Sequence, residues 1–301
     1  MSWKLSVTAP KAIIEAALER REDDPLWRED IVITGFESDP ETPDLWQLDA
    51  YLEDAPSETE RNAVLALFPD HSVQVIEEDL PETDWVTESQ RGVEPIRAGC
   101  FYVHTPDHSP SEEAGIRNFC IPAAQAFGTG HHGTTWGCLV MLDRMKQQGL
   151  APATLADIGT GTGLLAFAAL HLWPEAVATA SDIDPVCEPA VIENARNNAV
   201  AMGSGEGKLA MLVADGMDDP ALQAAAPFEL LIANILAAPL IEMAGDFTGA
   251  VVPGGDILLS GLLTTQEGDV RKAYRDAGFG LHDRLTAGDW SILWLRHGST
   301  E

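Results

Sequence analysis

Apolar residues change their rhythm along this chain, and the change separates two regions. Over the first 80 residues short alternating runs and short one-sided stretches follow each other. Trp3 to Val7 alternates as a strand. Pro10 to Glu22 carries Ile13, Ile14, Ala17 and Leu18 on one helical face, with Pro10 near the helix start. Ile31 to Phe36 and Leu45 to Leu52 predict strands, parted by a Ser-Asp-Pro-Glu-Thr-Pro turn. Ser57 to Phe68 predicts a helix, with Ser57 as cap and Glu60 completing a capping box. Ser72 to Glu77 predicts a last strand. The order βαββαβ is the ferredoxin-like plan, which hosts too many functions to name one.

A short connecting helix is expected over Asp84 to Glu94, ending before Pro95. Cys100 to His104 and Asn118 to Ile121 read as strands, and Asp107 to Gly115 as an exposed loop. From Thr134 onward helices and apolar strands alternate. Helices are expected over 134–148, 164–172, 186–199, near 219–225, 237–247 and 265–277. Strands are expected over 154–158, 177–181, 209–213, 228–233, 256–260, 279–285 and 291–296. Such alternation implies a mostly parallel sheet with helices on both faces, and the last two strands, lacking a helix between them, form a hairpin. The fold class is therefore α/β: a doubly wound, Rossmann-like seven-stranded domain behind a small N-terminal α+β ferredoxin-like domain.

Within that second region, Asp157 to Asn198 is the most informative stretch. A strand ends in Asp157-Ile-Gly-Thr-Gly-Thr-Gly, a helix follows, and the next strand ends in Ser-Asp-Ile-Asp-Pro. Glycines admit close backbone approach to an adenosine ligand, and a carboxylate about 20 residues on can accept both ribose hydroxyls. The glycines are Gly159, Gly161 and Gly163, where a dinucleotide fingerprint would read G-x-G-x-x-G. The tighter spacing suits a ligand without phosphates, such as S-adenosylmethionine (SAM), with a nucleotide-dependent dehydrogenase as the rival reading. The ribose is assigned to Asp182. Its rival Asp184, followed by Pro185, looks more like a helix cap.

Two further segments carry candidate chemistry. Asn234 closes the apolar run Leu230 to Ala233, and there its amide oxygen and the adjacent carbonyl can meet an amine. A turn asparagine is the plain alternative. Upstream, Ala126-Phe127-Gly128-Thr129-Gly130-His131-His132-Gly133-Thr134-Thr135 is a glycine loop opening a helix. Thr134 or Thr135 can cap that helix or bond the cofactor carboxylate. Phe127 is placed on the cofactor or as part of the closing loop. His132 either borders the amine as polar wall or proton acceptor, or is structural. No third ligand stands at a recognisable spacing from the two histidines, so no metal is expected.

Bulk properties narrow the class. The formal net charge is −30, and residues 1–96 hold 7 basic against 24 acidic residues. Phosphates would be repelled, so direct nucleic-acid binding is not expected; a Lys-rich protein partner is permitted, and so is a merely solvated acidic surface. No apolar run approaches a membrane span, and the opening residues lack the pattern of a secretory signal. Cys100, Cys120, Cys138 and Cys187 show no C-x-x-C spacing and read as reduced thiols. A cytoplasmic monomer, away from membranes, is expected.

These segments resemble the bacterial methyltransferases of large-subunit ribosomal protein eleven. The likeness is carried by residues 126–135, 157–163 and 182–185, by Glu193-Asn194-Ala195-Arg196-Asn197-Asn198, by Ala233-Asn234-Ile235-Leu236-Ala237-Ala238-Pro239-Leu240, and by Pro253 to Gly261. Asp84-Trp85-Val86 and Pro95-Ile96-Arg97 resemble the family's linker, so coverage runs over about residues 84–296. The resemblance implies a class I SAM-dependent protein methyltransferase acting on the N-terminal α-amine and lysine ε-amines of that basic ribosomal protein. It implies cofactor contacts at Thr135, Gly159, Asp182 and Asn234, with His132 and Asn234 beside the amine. It divides the chain into a substrate-recognition domain (1–82), a linker helix (83–96) and a catalytic domain (97–301). The chain departs from the family at Ile121-Pro122-Ala123-Ala124-Gln125 and at Gly133, and the first 80 residues match in element order but hardly in wording. A lysine methyltransferase for another protein, or a non-catalytic SAM-binding module, are the alternatives.

Overall fold

The computed structural model describes residues 2–22, 27, 31–37, 44–52, 54–69, 73–80, 94–122 and 132–298. Internal contacts divide the chain into two units, residues 1–88 and 89–301. That division falls inside the segment expected to be the linker, whose helix over 84–94 lies outside the described residues except for Glu94.

The first unit contains β1 (Ser2–Pro10), α1 (Lys11–Glu22), β2 (Val32–Glu37), β3 (Leu45–Leu52), α2 (Glu58–Ala66) and β4 (Val75–Leu80). The strand order β2-β3-β1-β4, antiparallel throughout, is the ferredoxin-like arrangement. Alternation decides which face is covered. Leu5, Val7, Leu48 and Ala50 pack with Ile14 and Ala17 of α1 in one apolar core. The register sets Ser6 opposite Asp49 and Lys4 opposite Tyr51 between those core positions. Asp49 is only 2% exposed. It accepts hydrogen bonds from Ser6 Oγ at 2.6 Å and Gln47 Nε2 at 2.8 Å, and Lys4 Nζ stands 3.8 Å away. α2 opens with the expected capping box: the Ser57 hydroxyl accepts from the Glu60 backbone, and the Glu60 carboxylate accepts from the Ser57 backbone.

The second unit begins with a three-stranded sheet of β5 (Ile96–Ala98), β6 (Phe101–His104) and β7 (Arg117–Cys120). β5 has no counterpart in the sequence reading, because three residues are too few to display an alternation. After it comes α3 (His132–Gln147), which packs beneath the main sheet. The alternating series is β8 (Thr154–Ile158), α4 (Leu164–Leu172), β9 (Val177–Asp182), α5 (Cys187–Asn197), β10 (Ala201–Met202), β11 (Lys208–Val213), α6 (Pro220–Ala225) and β12 (Phe228–Asn234). It ends with α7 (Ala237–Glu242), α8 (Ala244–Ala250), β13 (Val251–Leu263), α9 (Glu267–Asp276), β14 (Phe279–Ala287) and β15 (Trp290–His297).

These strands form one sheet in the order β10-β11-β9-β8-β12-β13-β15-β14. The expected seven strands are present, with the two-residue β10 added at one edge. The closing hairpin is antiparallel, and β15 rather than β14 pairs with β13. The helix expected over 237–247 is two helices meeting at Met243. Leu240, Ala244 and Phe247 are buried on both sides of the break, so one apolar stripe runs through it. Two apolar clusters fill the faces of the sheet, one centred on α3 and α4, the other on α7 to α9. From β8 the chain winds outward to β9 and β11, then returns to the other side of β8 at β12. That reversal lies between β8 and β12, and open α/β sheets bind ligands at the carboxyl ends of the strands flanking such a switch.

Candidate functional site

A crevice of about 400 Å³ opens at this switch point, lined by Thr135 of α3, Gly159 to Thr162 after β8, and Asn234 to Leu236 after β12. Its volume lies in the range of pockets that enclose a small molecule. Each wall is set by local sequence.

The wall after β8 turns sharply because Gly159 has φ +71°, a backbone setting that side-chain-bearing residues rarely adopt. A Cβ there would also collide with the Ile235 side chain. Gly261, at φ +85°, approaches the same residue from β13, and a Cβ would strike the Ile235 backbone. The Ile235 peptide is thus seated between two glycines of different strands. Gly163 stands at the N-terminus of α4 and does not line the crevice.

Asp157 holds the turn from below. It is 1% exposed; its Oδ2 accepts from the Thr160 hydroxyl at 2.7 Å and from the Ala166 backbone at 3.1 Å. Burial pushes its carboxyl up to about 6; those two donors oppose the rise and the charge of Asp182 adds to it. The sequence reading quoted Asp157 as the start of the glycine motif but gave it no role. Its one available signal was an acid at the end of an otherwise apolar strand.

Asp182 braces the turn from the side. Its Oδ2 accepts from the Gly161 backbone at 2.8 Å and its Oδ1 from the Asp184 backbone at 3.1 Å. A carboxylate has about four acceptor positions, and with the Cys187 thiol also bonded to this one, about one remains for a ligand hydroxyl. Asp184 spends its Oδ1 on the Val186 backbone at 2.9 Å, a turn that precedes the helix; the N-cap of α5 is Val186 and no side chain caps it, which corrects the expectation that Asp184 does. The neighbouring Ile183 is an exposed apolar residue, 64% accessible, beside the acceptor.

Asn234 ends β12 opposite the glycine turn. Its Oδ1 is sealed from solvent with no hydrogen-bond partner among the described residues, and so is the Ser181 hydroxyl at the end of β9. A buried acceptor left unmade is costly, and a ligand donor would remove that cost.

The structure brings Thr135, Gly159, Gly161 and Asn234 to one crevice, with Asp182 bonded to its glycine turn. Thr134 and Thr135 lie inside α3, which begins at His132, so neither is its N-cap; this corrects the capping expectation. Thr134 is buried and Thr135 lines the crevice. Phe127 lies outside the described residues, as does the side chain of His132. Among the described residues no group of three or more His, Cys, Asp and Glu could hold a metal ion. No helix among them is long and apolar enough to cross a membrane. All four cysteines are free.

Comparison with known proteins places this geometry. Residues 12–297 match a family profile described as "Ribosomal protein L11 methyltransferase (PrmA)". A ribosomal protein L11 methyltransferase of Agrobacterium fabrum is 38% identical over 270 residues, covering 89% of this chain and 90% of that one. One from Rhizobium etli is 40% identical over 253 residues, 83% of each chain. Among solved structures, a ribosomal protein L11 methylase from Lactobacillus delbrueckii subsp. bulgaricus superposes with a TM-score of 0.58 at 25% identity. That match covers 68% of this chain and all of that one.

Proposed function

The chain belongs to the ribosomal protein L11 methyltransferase family and is a SAM-dependent protein methyltransferase; on that premise we propose that the crevice between β8 and β12 binds the cofactor and that Asn234 presents the accepting amine. The observation that carries this reading is the pairing of a glycine turn, braced by two carboxylates, with a sealed and unpartnered amide oxygen across the switch point.

The residues present fit the cofactor. The crevice has room for it, Asp182 keeps acceptor capacity for a ribose hydroxyl, and Ile183 offers an apolar surface next to it. Gly159, Gly161 and Gly163 shape the turn, Thr135 faces it from α3, and Phe127 is assigned to the cofactor from the sequence. Bound there, the sulfonium supplies an electrophilic methyl carbon.

An amine attacks only when neutral. A terminal α-amine has a pKa of about 7.7–8.0 and a lysine about 10.4, so lysine needs the larger shift. A desolvated pocket beside a cation disfavours the ammonium form. Asn234 Oδ1, having no partner among the described residues, accepts an N–H of that amine and orients its lone pair. His132, whose backbone opens α3, is by family resemblance either the acceptor of the amine's proton or a polar wall beside it. Alignment is the main service such a site supplies.

The substrate is ribosomal protein L11, methylated on its N-terminal amine and lysine ε-amines. The ferredoxin-like unit, residues 1–82, recognises this basic protein and 83–96 link it to the catalytic domain, 97–301. The acidic balance of the front third suits a basic partner. The protein works as a monomer in the cytoplasm, without direct contact to nucleic acid.

The test is Asn234→Ala. Turnover of L11 should fall about 100-fold while the SAM dissociation constant changes only about threefold. Unchanged turnover would remove Asn234 from the reaction.

A further inference from the structure

A second pocket, of about 270 Å³, shares no lining residue with the cofactor crevice. Arg117 and His171 both line it, against apolar walls from Phe167, Leu170, Pro174 and Val200. The chain has 48 acidic and only 18 Lys and Arg residues, yet no acidic residue lines this pocket among the described residues.

Arg117 is incompletely used. Its guanidinium stands 5.0 Å over the Phe119 ring, and Nη2 donates to the Asn198 backbone oxygen at 2.6 Å. Its Nε is sealed from solvent with no partner among the described residues. A buried, unmade guanidinium donor costs more than a neutral one. His171, whose ring meets Phe101 edge-on at 6.0 Å, is held below its ordinary pKa by burial and then by the Arg117 charge. Two basic groups therefore share one recess of mixed polar and apolar lining, with no acidic residue lining it among the described residues.

We propose that this pocket binds a small organic anion, an apolar body bearing a single carboxylate or phosphate, with its charged end against Arg117 and His171. Such a ligand gives the Arg117 guanidinium a counter-charge, favours protonation of the neighbouring His171, and covers the apolar side chains. The side chains of Phe167, Leu170, Pro174 and Val200 favour an organic ligand over a bare inorganic ion, because they offer apolar contact to its body.

The experiment follows the His171 imidazole by NMR in the full chain, assigned with His171→Gln, at constant ionic strength. Benzoate, phenyl phosphate, inorganic phosphate and benzyl alcohol are titrated in turn. Benzoate or phenyl phosphate should shift the resonance saturably and raise the His171 midpoint, and benzyl alcohol should do neither. Arg117→Gln should weaken the organic anion about tenfold in a chain that still binds SAM normally. If that variant does not fold, His171→Gln, read by calorimetry, should weaken it about threefold. Shifts that stay linear, or variants that bind as tightly as the parent, would overturn the proposal. Benzyl alcohol binding as tightly as benzoate would overturn the anion, and inorganic phosphate binding as tightly as phenyl phosphate would overturn the organic body.

Discussion

Asp49 and Asp157 are both carboxylates buried in a strand, one in each unit, and they are kept there by different means. Asp49 has Lys4 within 3.8 Å besides Ser6 and Gln47. Asp157 has no cation partner among the described residues: its donors are a hydroxyl and a backbone amide, and the charge that acts on it, Asp182, has its own sign. A buried charge paired with a cation holds strands together. A buried charge left to neutral donors, and pushed up to about 6, is an expensive arrangement that the fold retains where a turn must be held open beside a ligand.

Removing each acid separates these roles most sharply. Asp157→Ala should weaken SAM about 100-fold, because the bonds that tie the glycine turn at Thr160 and the first turn of α4 at Ala166 to β8 are lost. Asp49→Ala should leave SAM binding unchanged and cost the first unit about 2 kcal/mol, read as lost hydrogen-exchange protection in β1 and β3. Equal effects of the two variants on SAM would break the comparison.

Acidity gives a smaller effect of predictable sign. Between its ordinary 3.8 and about 6, the folded chain holds a proton on Asp157 that the unfolded chain has released. Its contribution to stability therefore falls as pH rises through that window, so this group does not drive acid unfolding. Its acid sensitivity is local. SAM binding should weaken about tenfold between pH 7.5 and 5 as the carboxylate is protonated, and Asp157→Asn should bind weakly and equally at both.

The smallest effect tests the cation. Partial burial pulls Lys4 down, but the hydrogen bond to Glu78 and the charge of Asp49 hold it above its ordinary 10.5. Its contribution is complete below 10.5 and is lost as pH rises beyond its folded value. Lys4→Met should cost about 1 kcal/mol at neutral pH, by denaturant titration, and the difference should narrow in strong alkali.

The same contrast explains what was legible in the sequence. β8 and α4 stand within the residues expected for them, since the glycine turn punctuates both. The ferredoxin-like order was readable because its strands alternate and Ser57 and Glu60 mark a helix start. The split at Met243 was not, because the apolar stripe passes through it unbroken. Pro253-Gly254-Gly255 hid the first part of β13, and β10 is too short for any pattern. At the site, Gly159, Asp182 and Asn234 announce themselves by residue type and position. Asp157 does not: its role depends on a hydroxyl three residues on and an amide nine residues on, which only the folded turn brings to one oxygen.

Ile235, gripped between Gly159 and Gly261, carries a lesson about change. The residue next to Asn234 has no room for a side chain at either glycine, so if Asn234 presents the amine as proposed, its amide cannot migrate without rebuilding two loops at once. Diversification of the acceptor must therefore come from outside that clamp, beginning at Leu236, which is 62% exposed on the crevice rim. The chemistry is frozen by packing, and novelty is confined to the doorway.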